Sequence, residues 1–256
     1  MNSVSSPGSW IPLGIVGWCL IAGAVNVCAD VPATEAEALR QGQALAAELR
    51  SMRPGASATN SGVLRLRDAR GRRQEIPVTV VTLVRPEDWQ VTYTASFTNG
   101  STESLVAHHG AGATAYEMAR TSPGAAQSGP PRRLAAGATD VPFAGSDFWV
   151  CDLGLEFLRW PVQRIVKEEL SNSRLCHVLE SVNPGTNGYA KVWSYVDQEF
   201  KGLLSAKGFD ARGFVMKDFS TGNFVRVNDH WFLKDIRIRD ERSDTRTELL
   251  YSLPPQ

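Results

Sequence analysis

The residues able to carry chemistry are few, and they do not converge. His108 and His109 are neighbours in Glu103 to His109, a segment of strand-like composition, so their side chains leave opposite faces and cannot serve one site. His177 and His230 have no spacing that suggests metal ligands. Asp147 and Asp152 could form a carboxylate pair, but a helix cap and a solvated helix face explain them more simply. Asp197 and Asp235 fall at strand positions suited to pairing with a nearby Arg or Lys. There is no Gly-x-Ser-x-Gly elbow, no His-Glu-x-x-His and no phosphate loop. Neither catalysis, a metal nor a cofactor is expected.

Binding chemistry has better support. Gly145 to Pro161 holds two Trp, two Phe and three Leu, threaded by Asp147, Asp152 and Glu156. Phe148, Asp152, Leu155 and Arg159 lie on one line at helical spacing, and Val150, Leu153, Phe157 and Trp160 on a neighbouring line. Ser146 or Asp147 can cap the start and Pro161 ends it, predicting one short helix that is apolar over most of its circumference. Such a helix is covered on more than one side. It is either a plain core helix or a lid over a hydrophobic cavity.

The elements around it change period along the chain. Ala33 to Arg53 reads as an amphipathic helix stopped by Pro54-Gly55 and weakened at Gly42 by up to about 1 kcal/mol. Val63 to Arg67 and Gln74 to Val84 read as strands, and Trp89 to Phe97 alternates apolar and polar residues before the hairpin turn Asn99-Gly100. Pro123 to Ala138 is a Pro/Gly/Ala/Ser-rich loop. Strand segments resume at Arg164 to Leu170, Leu175 to Val182, Tyr189 to Asp197, Phe200 to Asp210, Gly213 to Ser220, Phe224 to Val227, Trp231 to Asp240 and Thr245 to Ser252. The pattern is an antiparallel meander.

The 27 Lys and Arg balance 27 Asp and Glu, which argues against a nucleic-acid footprint or a polybasic membrane patch. Trp10 to Val27 is apolar and uncharged, and Val27-Cys28-Ala29 fits cleavage after Ala29. The expected division is therefore a signal peptide over 1–29 and one domain over 30–256, with an uncleaved membrane anchor as the rival. Cleavage removes Cys19 and Cys28 and leaves Cys151 and Cys176. In an oxidising compartment these either form one disulfide, closing a loop of about 25 residues for roughly 3 kcal/mol, or stay as two buried free thiols.

In order, the chain presents a leader, a helix, strands, an aromatic helix after Gly-Ser-Asp-Phe, and a Tyr-x-Lys-Val-x-x-x-Val-Asp strand. It then closes with Asn-Asp-His-Trp-Phe-Leu-Lys-Asp-Ile-Arg-Ile-Arg-Asp and Thr-Arg-Thr-Glu-Leu. Carried by Gly145 to Leu153, Tyr189 to Asp197, Asn228 to Asp240 and Thr245 to Leu249, this resembles the outer-membrane lipoprotein-sorting (LolA-like) family. The resemblance implies an α+β, mainly β fold: an unclosed, curved antiparallel half-barrel wrapped round a few helices, with a hydrophobic cavity for acyl chains. It also implies an arginine that holds a lid closed, a role no particular Arg can be given from sequence.

The candidate cavity lining is Trp89, Val91, Tyr93 and Phe97 from the early strands, and Trp149, Phe157 and Trp160 from the aromatic helix. Trp193, Tyr195 and Phe214 could extend it. The expected function is a periplasmic protein that binds lipid or lipoprotein acyl chains and moves them through the envelope. The alternative is a non-enzymatic sensing or scaffold module that binds an envelope protein partner through the same sheet.

Overall fold

The computed structural model describes residues 34–124, 129–222, 224–227 and 230–252; the leader expected over 1–29 lies outside them. Helix α1 spans Glu35–Ser51, with the Thr34 hydroxyl accepting from the Glu37 N–H and so satisfying one free donor of the first turn. It buries Ala38, Gly42, Leu45 and Ala46.

Strands β1 (Ala58–Arg67), β2 (Arg73–Val84), β3 (Trp89–Ser96), β4 (Thr102–His109), β5 (Ala115–Thr121) and β6 (Arg132–Arg133) form the first run. Helix α2 (Val150–Leu153) and a 3-10 helix (Glu156–Arg159) follow. The second run is β7 (Val162–Ser171), β8 (Arg174–Val182), β9 (Lys191–Asp197), β10 (Leu203–Phe209), β11 (Val215–Thr221), β12 (Phe224–Val227), β13 (His230–Leu233), β14 (Asp235–Asp240) and β15 (Thr245–Tyr251).

Thirteen of these strands make one sheet in the order β6-β5-β4-β3-β2-β1-β15-β14-β11-β10-β9-β8-β7, and β12–β13 is a separate hairpin. Every pairing is antiparallel, and the sheet is not closed, with β6 and β7 at its edges. The fold is thus the antiparallel meander expected from the strand periodicity, in the mainly β, unclosed form that the family resemblance implies.

This order explains the role of the central segment. The chain starts in the middle of the sheet, meanders out to β6, and must then reach β7 at the opposite edge. The connection from Leu134 to Pro161 makes that crossing over the inner face. Phe143 packs edge-on to Tyr93 of β3, and Phe148 edge-on to Phe219 of β11. The Asp147 carboxylate accepts from Thr245 and Thr247 of β15, and the Ala144 N–H donates to the buried Glu103 carboxylate of β4. The aromatic segment is therefore a plug laid across the concave face.

Four expectations change. The single helix over 146–160 is two short pieces, because Leu155 adopts the left-handed conformation (φ 48, ψ 42) and interrupts the backbone hydrogen bonds. Its cap is not Ser146 or Asp147: α2 begins after Trp149, whose N–H donates to Asp152 Oδ2 at 2.8 Å. The expected strand Trp231 to Asp240 is split into β13 and β14 at Lys234. Strands β5 and β6 were not anticipated, β6 falling within the loop read over Pro123 to Ala138. Among the described residues no helix is long and apolar enough to cross a membrane.

Gly42 has a packing reason for its place in α1. A Cβ there would lie 2.4 Å from Arg164 Cα and 2.6 Å from Gln163 O, so the helix meets the backbone of β7 directly.

Candidate functional site

The inner face is built by period-two alternation. Trp89, Val91, Tyr93 and Ala95 of β3, Leu105 and Ala107 of β4, and Ile76, Val78 and Val80 of β2 are all buried in one core with Phe143, Phe148, Val150 and Phe157 of the plug. A cavity of about 40 Å³ remains where α1, β3 and the plug meet, lined by Leu49 and Arg50 of α1 and Met52 just after it, Trp89, Val91 and Tyr93 of β3, His109, and Leu153 to Leu155 with Leu158 and Arg159. A second space of about 10 Å³ lies among Asp152, Leu155, Phe157, Tyr189, Lys217 and Phe219. Leu155 lines both and stands between them.

Both volumes are far below the roughly 300–1,000 Å³ of a pocket that holds a small ligand. Among the described residues, the greasy space expected between sheet and helix is therefore nearly filled, by the plug's own side chains.

Guanidinium-to-carbonyl bonds hold the plug at its mouth. Arg50 of α1 donates to Leu158 O at 2.6 Å. Arg159 donates to Gly110 O at 3.1 Å and to Gly112 O, in the turn between β4 and β5. Arg53 ties the end of α1 to Pro86 O at 2.8 Å and Asp88 O at 3.0 Å. His109 stacks on Trp89 with ring centres 3.8 Å apart and planes at 10°. Burial, then the charges of Arg159 and His108, push its pKa down to about 3, so it is a neutral ring at pH 7. His108 faces Glu117 instead, at 3.9 Å, so the two histidines do point apart.

Beneath the plug lies a buried polar cluster. Asp152 is 6% exposed and Lys217 2%. Tyr189 donates to Asp152 Oδ1 at 2.9 Å, and Lys217 Nζ donates to Asp147 O at 2.5 Å while standing 3.6 Å from the centre of the Trp149 ring. Burial raises the pKa of Asp152 and lowers that of Lys217, each partly offset by the charge of the other. Asp152 is thus not on the solvated helix face expected for it; it anchors the plug to the sheet.

The expected lining residues divide into two groups. Trp89, Val91 and Tyr93 line the larger space and Phe157 the smaller. Trp160 packs edge-on to Phe157, Trp149 lies against Tyr189, and Phe97 packs on the core just beyond β3. Trp193, Tyr195 and Phe214 do not reach the interior. On β9 it is Val192 and Val196 that join the main core, whereas Tyr195 and Trp193 pack on the other face with Cys176 and Val178. Phe214 sits in the turn before β11 and is 63% exposed.

Cys151 and Cys176 are free rather than bonded: Cys151 belongs to the main core and Cys176 to the outer-face cluster, on opposite sides of the sheet. Burial raises both thiol pKa values. Asp197 and Asp235 pair with Arg174 and Arg237, as their strand positions suggested.

The sequence alone points to His109 only as one of two adjacent histidines, and to Arg50, Arg159 and Lys217 not at all as site residues. Arg159 lay on a helical line of the aromatic segment, a weak signal; Lys217 and Arg50 gave none.

Comparison with known proteins agrees with this architecture. A family model described as an uncharacterized protein matches residues 126–253. No curated protein matches the chain. The structure is similar to that of a DUF1329 family protein from Desulfovibrio piger, with 15% identity, TM-score 0.68, and 84% of this chain and 91% of that one covered. It is also similar to a protein from Vibrio parahaemolyticus described as an outer membrane lipoprotein-sorting protein domain, with 19% identity, TM-score 0.68, and 84% and 92% covered. A LolA superfamily protein from Nitrosomonas europaea gives 18% identity, TM-score 0.59, and 83% and 91% covered. The chain belongs to the family whose model spans residues 126–253, and its fold is LolA-like.

Proposed function

We propose that this is a non-enzymatic envelope protein that takes up an acyl chain of a lipid or lipoprotein beneath the plug, between the plug and β3. The observation that supports this best is the mouth itself. A space with Trp89, Val91, Tyr93, Leu153 and Leu158 on its apolar side and Arg50, Arg159 and His109 on its polar side is shut by a segment tied to the rim through arginine–carbonyl bonds. Such bonds break and re-form more readily than a packed apolar interface slides.

The lipoprotein-sorting neighbours lend the reading further support, as does the apolar leader of the sequence, which fits export. Because the interior is nearly filled, uptake requires the plug to lift. Each methylene entering from water contributes about 0.8 kcal/mol, so a chain of ten gains about 8 kcal/mol gross, enough to offset several lost rim bonds. Arg50 and Arg159 are the proposed latch.

The test is extraction of the protein, purified from its native envelope, followed by mass spectrometry, together with uptake of a fluorescent fatty acid. Bound lipid and saturable uptake are expected; absence of both would refute the proposal.

A second reading follows from the filled interior: the sheet serves as a sensing or scaffold module for an envelope protein partner. In-cell crosslinking that recovers one such protein, with no lipid in the extract, would favour it.

A further inference from the structure

Among the described residues, the mouth of the larger space is lined by two cations and no anion. Arg50 and Arg159 both line it, close enough that burial and then the Arg50 charge depress the pKa of Arg159. Among the described residues neither forms an ion pair; their only hydrogen-bond partners are the neutral carbonyls of Leu158, Gly110 and Gly112. Elsewhere on the sheet, arginines meet carboxylates: Arg120 meets Glu103, Arg164 meets Glu180, and Arg174 meets Asp197. Of the acids nearby, Asp88 pairs with Arg85, and Glu156 bonds Thr139 while its Oε2 stays buried without a hydrogen-bond partner among the described residues; neither lines the space. A guanidinium bonds a carboxylate or phosphate through two parallel N–H groups, more strongly than it bonds a carbonyl.

Resting on the acyl-chain reading above, we propose that the ligand is a single-chain amphiphile with an anionic head, whose carboxylate or phosphate is clamped by Arg50 and Arg159 while its tail enters among Trp89, Val91 and Tyr93. The head takes the guanidiniums from the plug and rim carbonyls, so head binding and plug release are one event. This supplies the differential affinity that a ligand needs to shift a closed state to an open one. A neutral head offers the arginines nothing better than the carbonyls they already hold.

The test is calorimetric titration of the full chain with decanoate, 1-decanol and inorganic phosphate at neutral pH. Decanoate is expected to bind about tenfold or more tightly than 1-decanol, as a charge-assisted contact implies, and inorganic phosphate is expected to bind weakly or not at all. The double variant Arg50→Gln/Arg159→Gln is expected to lose that preference while still binding 1-decanol. Arg50→Lys/Arg159→Lys, which keeps the charge, is expected to retain part of it, and so separates loss of the clamp from a folding defect.

Equal affinity for decanoate and 1-decanol, or a preference unchanged in the Gln variant, overturns the clamp and leaves chain binding intact. Tight binding of inorganic phosphate, abolished in the Gln variant, also overturns it, in favour of a free small anion. No binding of either ten-carbon compound overturns the acyl-chain reading and the clamp with it.

Discussion

Replacing Gly42 by Ala separates local propensity from packing. In an isolated helix the change stabilises by about 1 kcal/mol. Here the added Cβ would stand 2.4 Å from Arg164 Cα, 2.5 Å from Arg164 N and 2.6 Å from Gln163 O. Ordinary carbon contacts lie at about 3.5–4.0 Å, so α1 and β7 must part by about 1 Å. The obstructing atoms are backbone and cannot rotate aside, which places the cost near the upper end of the usual 1–3 kcal/mol for overpacking.

The net expectation for Gly42→Ala is a loss of about 2 kcal/mol, or a fall in Tm of about 4–8 °C for a domain of this size. Differential scanning calorimetry measures it, with Gln43→Ala on the exposed face of the same helix as control, expected to stay within about 2 °C. Because α1 also carries Leu49 and Arg50 into the cavity wall, hydrogen exchange at the plug should quicken in Gly42→Ala as well. A rise in Tm would show that α1 does not meet β7 through this glycine and would refute the reasoning.

Four further outcomes are expected. Arg159→Ala removes two rim bonds and should speed amide exchange over Gly154 to Trp160 by about tenfold, with β3 unchanged. Leu155→Ala joins the two small spaces and should raise uptake of a fluorescent fatty acid, whereas Phe214→Ala, on an exposed turn, should leave uptake unchanged; the reverse ranking would place the ligand elsewhere. Thiol reagents should label neither Cys151 nor Cys176 until the protein is unfolded, both should then react without prior reduction, and dithiothreitol should leave Tm unchanged. Burial opposes charge on Glu180, but bonds from Trp193, Lys191 and Arg164 outweigh it and hold its carboxyl below the usual range. The stability it contributes is then present above its unfolded pKa of about 4.3 and is lost as pH falls through the folded value. Glu180→Gln should therefore flatten the fall in the urea midpoint between about pH 5 and pH 3, and an unchanged slope would show that Glu180 carries no such linkage.

Much of the sheet was legible because period-two alternation and turn residues are local signals. Trp89 to Phe97 with Asn99-Gly100 gave β3 and its hairpin to β4, and Asp197 and Asp235 gave their ion pairs. What was not legible depends on the other side of the molecule. On β9 both faces are apolar, Val192 and Val196 on one and Trp193 and Tyr195 on the other, so alternation alone could not say which turns inward. The glycine beside the break at Leu155 answers to packing: Tyr116 lies so close to Gly154 that a Cβ there would be 2.1 Å from its hydroxyl. The mouth joins Arg50, Gly110 and Arg159, residues far apart in the chain that only the crossing from β6 to β7 brings together.

The most direct measurement is paramagnetic broadening in the amide spectrum of the isotope-labelled protein on addition of a fatty acid spin-labelled along its chain. Loss of signal at Val91, Tyr93 and Leu155, with Trp193 and Phe214 unaffected, is expected if the tail lies between the plug and β3. An unchanged spectrum, or broadening confined to the outer face around Trp193 and Tyr195, would contradict an acyl site beneath the plug.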